Sequence, residues 1–156
     1  MMKYPKTKVV LNQAVADLSA LSALIHQIHW YMRGENFLKL HPKMDTYMDN
    51  VNAELDEISE RLITLDGSPY STLQEFADNT KIKLETADWN KTTKERFTEL
   101  VEAFFYMSEL CQEGINVADE EGDAVTSGIF TDTKGNFEKL IWMIQAELGL
   151  APGIDA

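Results

Sequence analysis

The residues able to do chemistry cluster early in the chain. All three histidines, His26, His29 and His41, fall around one short turn, Gly34-Glu35-Asn36, and Asp45 follows His41 by four residues. Four residues are about one helical turn, so on a helix His41 and Asp45 share a face. His29 and His41 stand at similar distances on either side of the turn, and antiparallel packing brings their rings to one level. Asp56 and Glu60 repeat the four-residue spacing, bracketed by Leu55 and Ile58, where a charge is costly unless something compensates it. Two imidazoles and three carboxylates without a thiolate form a mostly hard ligand set, which suits ferrous iron or manganese better than structural zinc. Taken alone, each aspartate reads as solvated helix surface; the joint spacing with the two histidines points to metal. His26, three residues before His29, reads as a structural histidine outside the ligand set.

The spacing also bears on assembly. Asp45 and Asp56 are eleven residues apart, which returns a helical side chain to nearly the same face about 16 Å farther along the axis. One ion cannot reach both. Two copies of this helix lying antiparallel across a two-fold axis near Asn50 and Val51 place the His41-Asp45 end of each opposite the partner's Asp56-Glu60 end. An isologous interface then yields two identical composite sites.

Four long helical patterns position these residues. The first runs from about Thr7 to Arg33, with Val10, Ala14, Leu18, Leu21, Ile25, Ile28 and Met32 at three- and four-residue steps. The second is expected from roughly Leu38 to Leu65, with Pro42 tolerated only within its first turn. A third, residues 93–121, is announced by the capping-box sequence Thr92-Thr93-Lys94-Glu95 and stops near Gly122. The fourth, 123–148, starts with Asp123 as cap and ends before Gly149 and Pro152, with Gly128 and Gly135 each costing about 1 kcal/mol inside it. Phe97, Phe104, Phe105 and Phe130 read as core, and Cys111 as a small buried hydrophobe. Between the second and third patterns, residues 66–90 include one short helical piece at 71–78. A helix of about 28 residues is about 42 Å long, and this connection is long enough to travel back along it. Two tight hairpins joined by one long crossover give an all-α, ferritin-like four-helix bundle, one domain spanning 1–156. No Glu-x-x-His pair occurs, so a di-iron centre inside the bundle is not expected.

Composition narrows the function. The chain has 156 residues, 44% of them hydrophobic, enough for one sizeable core. Its net charge of -12 repels phosphate backbones and attracts cations. A single cysteine forms no internal disulfide, Asn12, Gln13 and Asp17 interrupt the first apolar stretch, and no uncharged apolar run reaches membrane-span length, so a cytoplasmic protein is expected.

The motif His29-Trp30-Tyr31-Met32-Arg33-Gly34, then Leu40-His41-Pro42-Lys43-Met44-Asp45, then Leu55-Asp56-Glu57-Ile58-Ser59-Glu60-Arg61 resembles the ferroxidase signature of the Dps mini-ferritins, starvation-induced iron-oxidising proteins. The resemblance extends over nearly the whole chain, including the Asp66-Gly67-Ser68-Pro69 turn. It implies that His29, His41 and Asp45 of one subunit and Asp56 and Glu60 of its two-fold mate bind iron. It also implies a hollow assembly of twelve subunits, hydrogen peroxide as oxidant and storage of ferric mineral. Trp30, beside a ligand, is a candidate radical sink, although packing or an interface explains Trp30 and Trp142 more simply. For the iron pore of that family the chain offers Asp119 and Asp123, with Ala124 and Gly128 where acids often stand. Lys3, Lys6 and Lys8 are few for the DNA-binding tail of some relatives, so DNA binding is not expected. The alternative reading is a non-enzymatic helical scaffold with a redox-inert metal at its two-fold interface.

Overall fold

The computed structural model describes residues 2–155, which form five helices: α1 (Pro5–Tyr31), α2 (Phe37–Thr64), α3 (Leu73–Asn79), α4 (Thr93–Glu121) and α5 (Ala124–Glu147). Local chemistry explains most of the ends. Thr92 and Glu95 make the reciprocal capping box expected at α4, through Glu95 N to Thr92 Oγ1 at 3.1 Å and Thr92 N to Glu95 Oε2 at 2.7 Å. Gly122, at φ 78°, closes α4 in the left-handed conformation that glycine adopts without strain. Asp123 caps α5 by accepting from Thr126 N at 3.1 Å. The start of α1 differs: Tyr4 offers no side-chain cap, and Glu121 supplies it from another helix, accepting from the Lys6 and Thr7 amides at 3.1 and 2.9 Å.

Pro42 departs from expectation. It is the sixth residue of α2, beyond the first turn. The carbonyl that loses its helical donor belongs to Leu38, a residue 87% exposed, so solvent is at hand to take the place of the missing bond.

The apolar stripe of α1 is buried as its spacing required, from Val10 and Ala14 through Leu18, Leu21 and Ile25 to Ile28 and Met32. α1 lies against both α2 and α4, and α4 against α5. Phe97, Phe104 and Phe130 are core; Phe105 is only half-buried. At Gly114 an added Cβ would stand 2.5 Å from the Phe130 ring, so this glycine lets α4 and α5 approach. Gly128 and Gly135, by contrast, face nothing within 4 Å in the single chain. α1 is long and apolar enough to cross a membrane, with mean hydropathy 1.3 over an 18-residue window, but 61% of that window is buried in the bundle.

The polar residues that interrupt α1 hold the crossover. Asn12 donates to the Ser68 carbonyl and accepts from the Tyr70 amide, and Gln13 donates to the Asn79 carbonyl. Asp17 is fully buried and accepts four hydrogen bonds, from Gln13 Nε2, Thr80 Oγ1, Lys81 N and, at 2.6 Å, Tyr106 Oη. Burial, then this bond and the Asp17 charge, push the Tyr106 phenol well above its ordinary range. Asp17→Ala orphans these donors, and a buried donor without a partner costs about 1–3 kcal/mol. The expected outcome is faster amide exchange across residues 80–82 with the four long helices intact. Wild-type exchange rates there would show that Asp17 does not hold the segment.

α2 and α5 scarcely touch, and a groove of about 480 Å³ opens between them, lined in part by Tyr47, Glu54, Glu57, Asn136 and Lys139. Glu54 is 9% exposed at its floor, and its Oε1 accepts from Asn136 Nδ2 at 3.1 Å. Burial pushes its carboxyl up to about 7, opposed by the Asn136 bond and reinforced by the Glu57 charge. The Cys111 thiol nearby is pushed up to about 12 by burial and then by the Glu54 charge, which leaves it inert at neutral pH.

Candidate metal centre

The α1–α2 hairpin brings His29 and His41 face to face, with ring centroids 3.7 Å apart and planes within 14°. Each Nδ1 meets the other residue's backbone carbonyl, His29 Nδ1 with His41 O at 2.8 Å and His41 Nδ1 with His29 O at 2.9 Å. A carbonyl oxygen only accepts, so both Nδ1 atoms carry the proton and both Nε2 lone pairs are free for a metal. The His29 carbonyl lies in the last turn of α1, where carbonyls lack helical donors, so the bond also satisfies the helix end. Phe37, one turn before His41, stacks on its ring at 4.8 Å and walls one side. Asp45 Oδ1 is 3.6 Å from His29 Nε2, and its side chain is 62% exposed against 12% for His29. The hairpin thus presents two oriented imidazoles and one open carboxylate.

Asp56 and Glu60 are exposed on α2, while Ile58 and Leu62 beside them are buried. Eleven residues of helix keep Asp56 about 16 Å from Asp45. Among the described residues, no three His, Cys, Asp or Glu side chains of one chain converge closely enough to hold a metal. The bundle interior offers no substitute: Leu18, Phe104 and Phe137 fill it, and its buried carboxylates, Asp17, Glu54 and Asp123, do not gather into a metal site among the described residues. Val51 is fully buried, so the free face of α2 at the level of the expected two-fold axis is the one carrying Asp45, Asp49, Asn52 and Asp56.

The remaining candidates separate. His26 stacks on Trp30 at 5.1 Å, away from the paired rings. Trp30 is 64% exposed and Trp142 52%, so neither belongs to the core of the single chain. Asp119 is exposed, as a pore residue requires. Asp123 is not: it is 2% exposed, and its carboxylate is engaged by Thr126 N, by Thr126 Oγ1 at 2.5 Å and by Arg61 Nη2 at 2.7 Å. Those bonds give Asp123 a capping and pairing role in place of the expected pore lining. The Arg61 link joins residues 62 positions apart, which leaves no periodic signal in the sequence. The crossed histidine-carbonyl bonds depend on how the two rings are turned within the hairpin, which spacing does not set. Phe37, not singled out by the sequence pattern, does leave a local signal, one helical turn ahead of His41.

A four-helix bundle with one long crossover and paired histidines at its first hairpin fits one class, the ferritin-like domain, and the model of that family matches residues 9–154. The chain is 55% identical over 146 residues to the DNA protection during starvation protein of Streptococcus suis, covering 94% of this chain and 85% of that one. With the protein of the same name from Listeria monocytogenes it shares 42% over 146 residues, 94% of each. Among solved structures, Dps from Listeria innocua soaked with cobalt matches at TM-score 0.92 and 41% identity over 94% of both chains. Dps from Staphylococcus aureus matches at TM-score 0.88 and 27% identity over 95% of this chain and 98% of that one. The chain belongs to the Dps family of mini-ferritins.

Proposed function

We propose that the protein is a ferroxidase that detoxifies and stores iron, oxidising Fe²⁺ at sites completed by pairing two copies through α2. The observation that carries this reading is the split of the ligand set. His29 and His41, each with a free Nε2, stand beside Asp45 at one end of a helix face, and Asp56 and Glu60 stand on the same face about 16 Å away. Two-fold pairing across that face brings each half-site to the other. Iron is the substrate, and hydrogen peroxide is the proposed oxidant. Two Fe²⁺ supply one electron each, and with two protons they reduce one H₂O₂ to two H₂O, which avoids the one-electron route to hydroxyl radical. The ferric product is stored inside a closed shell, for which the family suggests twelve copies. A similar structure, Dps from Listeria innocua, has been studied soaked with zinc, in keeping with a divalent-cation site.

The curated relatives carry DNA protection in their name. For this chain we attribute protection to the removal of iron and peroxide in the cytoplasm, not to DNA contact. The net charge of -12 opposes phosphate binding. Of the N-terminal lysines, Lys6 is paired with Glu120 at 2.8 Å.

Mixing the assembled protein with Fe²⁺ and substoichiometric peroxide is the test. The expected result is rapid ferric absorbance with two Fe²⁺ consumed per peroxide. Absorbance no faster than in buffer would leave a helical scaffold holding an inert metal.

A further inference from the structure

Arg61 follows Glu60 in sequence but turns the other way. Its side chain is 14% exposed, donating from Nη2 to Asp123 Oδ1 at 2.7 Å and from Nε to Thr126 Oγ1 at 2.9 Å. Both acceptors are buried, Asp123 at 2% exposure and Thr126 fully. Thr126 Oγ1 in turn donates to Asp123 Oδ2, which closes the network. A planar guanidinium engages two acceptors at a set distance and angle, so such a link constrains rotation as well as separation. The anchor is itself fixed, because Asp123 caps α5 and Glu121, two residues earlier, caps α1. Elsewhere α2 leaves a groove against α5, so its outer edge has little else to hold it on that side.

We propose that Arg61 is a positioning residue for the Asp56-Glu60 half-site, locking the last turns of α2 to the start of α5 so that both carboxylates meet the partner's histidines in register. This inference rests on the shared-site reading above. The pairing serves a second end. The Asp123 carboxylate neutralises the guanidinium and draws it inward, so a positive charge adjacent in sequence to Glu60 does not compete with a cation there.

The test compares Arg61→Met, Arg61→Lys and Asp123→Asn in the assembled protein, by initial oxidation rate against Fe²⁺ concentration, with shell size and helix content as controls. Asparagine can still cap α5, so Asp123→Asn removes the ion pair while keeping the helix start. The expected result is that Arg61→Met and Asp123→Asn each raise KM for Fe²⁺ by about 10-fold, in the range seen when a ligand's supporting hydrogen-bond partner is lost. kcat changes less, and Arg61→Lys falls between, because an ammonium pairs with Asp123 without reproducing the fork. Should Arg61→Met not assemble, the other two variants decide. Wild-type iron dependence in folded, assembled variants would make Arg61 a stability residue only and overturn the proposal. An effect of Asp123→Asn without one in the arginine variants would assign the carboxylate to iron access, again overturning it. Asp56→Ala is run alongside. If that variant also keeps the wild-type iron dependence, the shared site itself fails and this inference falls with it.

Discussion

Asp56→Ala is expected to lower the rate of peroxide-driven iron oxidation by about 100-fold or more, since losing a ligand exceeds the roughly 10- to 100-fold cost of losing a ligand's support. Asp56 is exposed on α2 and lies outside the core, so the bundle stays folded. His41→Ala is expected to match it, by removing one of the two free Nε2 donors. The decisive measurement mixes the two. In a mixed pair, one composite site carries both lesions and the other carries neither. Random co-assembly of equal amounts therefore restores about one quarter of the wild-type sites, from half the pairs being mixed and half their sites intact. Oxidation in the refolded mixture that stays at the level of the parents would show that the ligands of each site come from one chain.

The second large effect is on stability and runs through Glu54, which lies on the buried side of α2, away from Asp56. Its carboxyl is pushed from 4.5 up to about 7 in the folded chain. Between those values the folded protein holds a proton that the unfolded chain has released, so stability falls as pH rises. The contribution is fully present below pH 4.5 and lost once pH passes about 7. A displacement of that size corresponds to about 3 kcal/mol. The charges around it do not reverse the sign: Glu57 raises the value further, and the Asn136 bond only partly offsets burial. Glu54→Gln keeps a side-chain oxygen for Asn136 and removes the ionisation. The variant is expected to be more stable than wild type by about 3 kcal/mol at pH 8 and by less than about 1 kcal/mol at pH 5. Denaturant unfolding at both pH values checks this; the same difference at pH 5 and pH 8 would show that Glu54 does not titrate in that window.

The sequence by itself determined the helices, several of their ends and the chemistry at the hairpin, because each depends on contacts within a few residues. The α4 capping box spans three positions, the α1 stripe repeats every three or four, and His29, His41 and Asp45 meet across one short turn. Tertiary structure decided the rest. Asp17, read only as a break in an apolar run, is fully buried because partners as far away as Tyr106 donate to it. Asp123, offered as a pore residue, is consumed by Arg61 and Thr126. Pro42 lies deeper in its helix than local rules allow because the carbonyl it orphans belongs to an exposed residue. The common reason is that a side chain's spacing along a helix follows from the chain's own geometry, whereas the partners it finds and the water it loses depend on which distant residues packing brings against it.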